Sequence, residues 1–198
     1  MPALGHEIGI GQLKRTRIFI GVTGAQGVGK STFCMKLRNE LVTRTSKDVA
    51  LMDGLGAQIR ALGFRVGSGS DTQSVAAVFA AHMLRERTAP AGFVILDRCA
   101  IDALAYVRSL DLNTDVERMM YEEIARCMVG GLTLAVHLQM SATFASGHAA
   151  HETLFLRGRI ADAILKIIGE FAVPSMSIDA AAPDCVNEVA TEILRIVR

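Results

Sequence analysis

Short apolar runs alternate with longer amphipathic stretches along most of the chain. The short runs fit strands buried on both faces, because they are continuously apolar; they cover 18–22, 49–52, 93–96, 132–138 and 175–178. The longer stretches have apolar residues at helical spacing; they predict helices over 30–44, 57–62, 74–87, 101–109, 115–129 and 153–171, and a last helix with Pro183 in its first turn. This alternation predicts an α/β protein, with a parallel five-stranded sheet and helices on both faces.

Several side chains are expected in the core of that fold. Two helices have apolar stripes, which consist of Val75, Val78, Phe79 and Met83 in the 74–87 helix and of Val186, Val189, Ala190, Ile193 and Val197 in the last helix. The methionines at 119, 120 and 128 are most simply core residues as well. Between these elements, the 67–71 segment is rich in glycine and serine and predicts a flexible loop.

Length and charge narrow the class of protein. The 198 residues suit one domain, which we place at 18–198 after a 1–17 N-terminal extension. A net charge of +1 argues against a nucleic-acid partner. The uncharged 127–151 stretch has an apolar centre much shorter than the roughly 20 residues of a membrane span, so no membrane partner is expected.

Cysteine usage and the first residues indicate the compartment. The four cysteines, at 34, 99, 127 and 185, form no Cys-x-x-Cys pair, so buried free thiols are expected rather than a zinc site or disulfides. The N-terminus lacks the apolar segment of a signal peptide, and we expect a cytoplasmic protein. The high apolar fraction, 51%, makes a homodimer plausible.

The strongest chemical signal follows the first predicted strand. There the chain reads Gly24-Ala25-Gln26-Gly27-Val28-Gly29-Lys30-Ser31, followed by Thr32, which matches G-x-x-x-x-G-K-[ST] between a strand and a helix. Backbone N–H groups of such a loop bind phosphates, and the helix N-terminus adds a favourable dipole. Lys30 is expected to reach the β- and γ-phosphates of ATP, and the Ser31 hydroxyl to bind Mg²⁺.

Other features separate the classes of phosphate-loop protein. Asp53-Gly54-Leu55-Gly56 fits the D-x-x-G pattern of GTPases, but the chain has no Asn-Lys-x-Asp or Thr-Lys-x-Asp to bind guanine. It also lacks the L-S-G-G-Q signature of ABC-type ATPases, and motor ATPases and helicases normally need a longer chain. A small phosphotransferase that encloses both nucleotide and acceptor fits best.

The third predicted strand ends in Asp97-Arg98, and this pair supports that choice. Four apolar residues followed by an aspartate resemble a Walker B element, whose carboxylate would bind Mg²⁺ directly or through water. The adjacent arginine is unusual for a motor ATPase. It resembles the Asp-Arg element of thymidylate kinases and of deoxynucleoside and nicotinamide riboside kinases, where the arginine engages the acceptor or its phosphate.

The resemblance to this P-loop nucleoside and nucleotide kinase superfamily covers most of 18–110. The stretch from Asp97 to Tyr106 is similar to the D-R-S-x-x-D-x-x-A-Y segment of nicotinamide-riboside-kinase-like and AAA-type small P-loop proteins, with Cys99 in place of the serine. Asp71-Thr72-Gln73 before a helix also resembles that group. Asp53 stands where the group often has an acidic residue at the end of the second strand.

The expected lid, near 140–160, carries weaker signals. Lids of this family often have an early Asp-Gly-x-Arg, whereas this chain has Ser-Gly-His-Ala at 146–149. Arg157 and Arg159 remain as catalytic candidates that could stabilise charge on the transferred phosphoryl group. Because they are two residues apart on a helix, only one should act. His148 and His151 fit polar lid residues better than a metal site.

These observations predict Mg²⁺-dependent transfer of the ATP γ-phosphoryl group to a small acceptor, a nucleoside or a nucleotide-like molecule. The segments 53–72, with Arg60 and Arg65, and 140–159 should enclose the acceptor. Asp53 could act as base for a hydroxyl acceptor, whereas a phosphate acceptor would need arginines; an Asx-type turn at Asp53 is the plainer alternative. A regulatory ATP-binding module that signals to a protein partner stays open. The intact Lys30 and Ser31 argue against a third alternative, a partner-binding scaffold without catalysis.

Overall fold

Five strands form a single parallel sheet in the computed structural model, which describes residues 17–110, 114–140 and 153–198. The strands are β1 (Arg17–Thr23), β2 (Val49–Met52), β3 (Gly92–Asp97), β4 (Leu132–Leu138) and β5 (Ser175–Ile178). Their order across the sheet is β2-β3-β1-β4-β5, and every neighbouring pair is parallel. The predicted five-stranded parallel sheet is confirmed.

Seven α-helices connect and cover these strands in the described part of the chain. They are α1 (Lys30–Arg44), α2 (Leu55–Ala61), α3 (Thr72–Thr88), α4 (Ala100–Leu110), α5 (Asp115–Val129), α6 (Leu154–Glu170) and α7 (Cys185–Ile196). Asp71 caps α3, because its carboxylate accepts hydrogen bonds from the Ser74 N–H and hydroxyl. Thr114 and Glu117 form a reciprocal capping box that opens α5.

The helices lie in two layers, one on each face of the sheet. Side chains of α3 to α6 pack in one cluster against alternate sheet residues such as Val94 and Leu96. Side chains of α1 and α7 pack in a second cluster against the intervening residues, such as Phe93 and Ile95. Because both faces of each central strand are buried, these strands are continuously apolar.

The connections bring the chemical motifs to one edge of the sheet. The chain builds β2 and β3 on one side of β1, then crosses to build β4 and β5 on the other. In such sheets, ligands bind beyond the carboxyl ends of the strands where the winding direction changes. The phosphate loop after β1 and Asp97 at the end of β3 both lie at this position.

Some burial predictions are wrong. Met83, Met119 and Met120 are exposed, because they lie on the solvent side of α3 and α5. In α3, His82 and Arg85 are buried with Val75 and Phe79. Cys34, Cys99 and Cys185 are buried free thiols as expected, but Cys127 is exposed.

Some local details also differ from the prediction. Pro183 precedes α7 instead of lying in its first turn, since the helix begins at Cys185. The predicted loop at 67–71 contains a short 3₁₀ turn at Gly67–Gly69. Arg17 already belongs to β1, and the rest of the expected N-terminal extension lies outside the described residues. No helix in the described ranges is long and apolar enough to span a bilayer.

Candidate phosphoryl-transfer site

The phosphate loop needs glycine where its backbone turns most sharply. Gly24 has φ 149°, and a Cβ at this position would lie 2.7 Å from the Leu138 carbonyl oxygen. Gly29, with φ 86°, is the N-cap of α1 and is in the left-handed region that L side chains rarely adopt. These two conformations bring the loop close to β4 and lead the chain directly into α1. The loop is therefore a pre-formed turn at a helix N-terminus, as the motif predicts.

Lys30 is folded back into this loop. Its ammonium donates hydrogen bonds of 2.6 Å to the carbonyl oxygens of both Gly24 and Ala25. Only 6% of Lys30 is accessible, because the loop wraps around its side chain. Burial, together with the nearby Arg98 guanidinium, lowers the pKa of Lys30 to about 7 against the opposing effect of Asp102 and Asp97.

Ser31 and Asp97 are in direct contact. The Ser31 hydroxyl donates a 2.5 Å hydrogen bond to Asp97 Oδ2 across the gap between α1 and β3. A hydroxyl and a carboxylate oxygen are ligands that Mg²⁺ prefers, and Mg²⁺ commonly keeps several waters in addition to one or two protein groups. The donor set thus fits Mg²⁺. Within the described ranges, no group of three or more His, Cys, Asp or Glu side chains could form a different metal site.

Arg98 follows Asp97 in a left-handed backbone conformation, with φ 71°. Its N–H donates to the Val22 carbonyl at 3.1 Å, which ties the turn after β3 to β1. Its guanidinium lies 3.5 Å from Asp102 Oδ1 in an ion pair, and the Asp102 side chain is only 3% exposed. Asp102 Oδ2 accepts from the Cys99 N–H, whereas the Cys99 sulfur is 3.9 Å away. Cys99 therefore gives α4 a much weaker side-chain contact than a serine hydroxyl would.

A cavity of about 910 Å³ opens beside the phosphate loop. It lies between α2, α3 and α4 and is closed on one side by residues 64–70. Gln26 of the phosphate loop and Arg98 both line it, so it adjoins the proposed phosphate site. The predicted pair Arg60 and Arg65 also lines this cavity, together with apolar side chains such as Val75 and Val78.

Asp53 does not line this cavity. It is exposed at the end of β2 and lines a separate, shallower groove of about 450 Å³, beside Met35 and Arg38 of α1. Leu55 and Gly56, two and three residues further on, line the large cavity. Asp53 is therefore next in sequence to the cavity wall, while its own side chain lines the groove on the other side of β2.

The two lid arginines differ in environment. Arg157 is 3% exposed in the first turn of α6, and Arg159 is exposed. This difference agrees with the argument that two residues so spaced on a helix cannot face the same way. The lid residues His148 and His151 lie outside the described residues.

Sequence reasoning missed His82 and Arg85, which are 1% and 7% exposed. Arg85 donates from Nη1 to the carbonyl oxygens of Met52 and Asp97, at 2.9 and 3.3 Å, and from Nη2 to the Arg98 carbonyl. It therefore joins the ends of β2 and β3 underneath the site. Their spacing gave a signal, because positions 75, 78, 82 and 85 are three or four residues apart and therefore lie on one side of the helix. A histidine and an arginine were not expected on a buried face.

Comparison with known proteins supports the fold. No protein-family model matches the sequence, and no curated protein matches it. Among solved structures, the chain is similar to deoxyadenosine kinase from M. mycoides with products dCMP and a flexible dCDP bound, with a TM-score of 0.62, 12% identity, and coverage of 92% of this chain and 100% of that one. It is also similar to the NadR protein in complex with NAD and AMP-PNP, with a TM-score of 0.67, 13% identity, and coverage of 91% of this chain and 49% of that one.

The chain thus spans about half the length of that NadR chain. At 12–13% identity, these likenesses establish the fold and not the substrate. The protein has a P-loop nucleoside-kinase-like fold. This confirms the fold that the phosphate loop and the Asp-Arg element predict.

Proposed function

We propose that the protein transfers the γ-phosphoryl group of ATP to a nucleoside or nucleotide-like acceptor held in the 910 Å³ cavity. The observation that carries this proposal is that the phosphate loop and the cavity adjoin, with Gln26 and Arg98 lining the boundary. A nucleotide on the loop and an acceptor in the cavity would therefore meet beside Arg98. Bringing two reactants together in this way can supply a large part of the rate enhancement.

The residues divide the work of such a transfer. The backbone of residues 24–29 and the ammonium of Lys30 would bind the ATP phosphates. Thr32, at the start of α1, would also contribute to nucleotide binding. Ser31 and Asp97 would hold Mg²⁺, which supplies neutralisation of phosphate charge when bound. Arg98 would orient the acceptor, and Arg157 would stabilise the charge that develops on the transferred group.

The similar solved structures are consistent with this proposal. One is a deoxyadenosine kinase with nucleotide products bound, and the other contains an ATP analogue. Among the described residues, the cavity lining includes three arginines, at 60, 65 and 98, and one carboxylate, Asp102. Such a lining suits an acceptor with phosphate or with several hydrogen-bond acceptors.

The test is ADP release with and without acceptors. The wild type, Lys30→Ala and Lys36→Ala are each assayed with a panel of acceptors. The panel contains the 2′-deoxynucleosides, their 5′-monophosphates and nicotinamide riboside. Lys36 is an exposed lysine of the same helix and serves as the matched control. We expect acceptor-dependent ADP release in the wild type and in Lys36→Ala, and at least about a 10²-fold loss in Lys30→Ala, because Lys30 stabilises phosphate charge.

Two outcomes would contradict the proposal. Wild-type turnover in Lys30→Ala would exclude the loop from catalysis. Slow ADP release that no acceptor accelerates would instead favour the regulatory ATP-binding module. Circular dichroism of each variant verifies that the fold is retained.

A further inference from the structure

Arg85 uses all its terminal hydrogens in contacts within the protein. Nη1 donates to the Met52 and Asp97 carbonyl oxygens, and Nη2 donates to the Arg98 carbonyl oxygen. The remaining contact of Nη2 is with His82 Nδ1, at 3.3 Å. A guanidinium has hydrogens to donate and no site that accepts one. Arg85 is thereby held in one orientation, and its partner at each contact must be an acceptor.

The contact between Arg85 Nη2 and His82 Nδ1 determines the tautomer of His82. Because Arg85 can only donate, Nδ1 of His82 must present its lone pair, so the ring hydrogen is on Nε2. The ring is 1% exposed and lines the 910 Å³ cavity. His82 therefore offers one N–H donor, at Nε2, in a cavity whose other polar side chains include three arginines.

The surroundings keep this imidazole neutral. Burial, together with the positive charges of Arg85 and Arg98, lowers the pKa of His82 to about 3. Asp102, which also lines the cavity, is already paired with Arg98. A protonated ring would in addition lose its acceptor contact with Arg85.

We propose that His82 is a specificity-determining residue whose Nε2–H donates a hydrogen bond to the acceptor molecule, with Arg85 as the positioning residue that fixes the tautomer. This inference rests on the proposed function, since it assigns the acceptor to the same cavity. It implies that the acceptor presents a carbonyl oxygen, an unprotonated ring nitrogen or an anionic oxygen at this position. A molecule that presents only a donor there leaves the buried Nε2–H unpaired, which disfavours its binding.

The first test observes the tautomer directly. Long-range proton–nitrogen NMR of the full nitrogen-15-labelled chain distinguishes Nδ1–H, Nε2–H and imidazolium rings, and loss of one set of signals in His82→Gln identifies those of His82. We expect the neutral Nε2–H pattern at every pH near neutrality at which the protein is folded. An Nδ1–H or imidazolium pattern would overturn the proposal.

The second test adds the ligands. The 2′-deoxynucleosides and their 5′-monophosphates are titrated into the labelled protein without ATP, and the signals of His82 are compared with those of His137. His137 is a buried histidine control, whose Nδ1 contacts the Ser177 hydroxyl at 2.8 Å. We expect at least one of these molecules to shift the His82 Nε2–H signal well beyond that of His137. If none does, His82 does not contact the acceptor class proposed here.

The third test separates recognition from folding. In His82→Phe, we expect the KM for the acceptor to rise roughly 3- to 10-fold, the usual effect of one lost hydrogen bond, with the KM for ATP unchanged. His82→Gln, whose amide can donate, should recover part of that loss. Equal effects on both KM values, or no rescue by glutamine, would indicate a structural role alone. If the wild type phosphorylates none of these molecules, the proposed function fails, while the NMR titration still reports on His82.

Discussion

Asp53 distinguishes two kinds of acceptor at the scale of a single residue. A hydroxyl must lose a proton as it is phosphorylated, whereas a phosphate is already anionic and needs no base. Asp53 lies two residues before Leu55, the first cavity-lining residue of α2. We propose Asp53 as the base for a hydroxyl acceptor. Its side chain would have to leave the groove beside Arg38 in order to act.

The substitution Asp53→Asn therefore has two expected results. With a nucleoside acceptor, kcat should fall by about 10²- to 10⁴-fold, the usual contribution of a general base. With a nucleotide acceptor, kcat should stay within about twofold, because no base is needed. Steady-state kinetics with the acceptors found in the panel checks both. Normal turnover with a nucleoside would leave Asp53 as a turn residue only.

Glu86 is expected to make stability depend on pH. Burial raises the pKa of Glu86 from 4.5 to about 7, although Arg85 opposes the shift. The folded state therefore holds its proton more tightly than the unfolded state, and this contribution to stability decreases as the pH rises from 4.5 to about 7. Above that range the protein bears the full cost of a partly buried carboxylate.

We expect Glu86→Gln to remove this part of the pH dependence. Above about pH 7, the free energy of unfolding should rise by up to about 1 kcal/mol, after allowance for solvent screening of a partly exposed group. Urea unfolding of both proteins at about pH 5 and about pH 8 measures it. The control is Glu123→Gln, whose side chain is 71% exposed. A variant less stable than the wild type near pH 8 would contradict the argument.

At the scale of elements, α6 offers a matched pair of arginines. Arg157 is buried in its first turn and Arg159 is exposed two residues later. We expect Arg157→Lys to lower kcat by about 10²-fold, since a lysine cannot reproduce the planar fork that stabilises phosphoryl charge. Arg159→Lys should leave kcat unchanged. Equal losses in the two variants would mean that neither arginine has the specific role proposed for Arg157.

Most elements could be predicted from sequence because their signals are local. All five strands and the main helices follow from apolar runs and helical spacing, and α1, α5 and β4 have the predicted boundaries. Exposure of Met119 and Met120 could not be predicted, because methionine alone does not indicate which side of a helix is buried. The short α2 begins two residues early, at Leu55, since Gly54 supplies a left-handed N-cap.

The candidate site was predictable where a motif is continuous in sequence. The loop at 24–31 and the Asp97-Arg98 pair are such motifs, and the fold brings Ser31 and Asp97 into contact. Burial of Lys30 and the Arg85–His82 contact depend on how distant segments pack. No local pattern records that packing, so these features became visible only in three dimensions.

At the scale of the whole molecule, the proposed transfer requires that the phosphate loop and the cavity lie next to each other. The phosphate loop follows the central strand β1, and the cavity forms between helices that follow the edge strand β2 and its neighbour β3. Gln26 and Arg98 lie where the two meet.

The most direct test follows the phosphoryl group itself. Wild-type protein and Arg98→Ala are incubated with γ-labelled ATP, Mg²⁺ and each 2′-deoxynucleoside or 5′-monophosphate, and the labelled products are separated by chromatography. We expect the wild type to move the label into a phosphorylated acceptor, and Arg98→Ala to do so with a higher KM for the acceptor and a lower kcat, but with little change in the KM for ATP. Label that appears only as inorganic phosphate, at the same rate with and without every acceptor, would contradict the account.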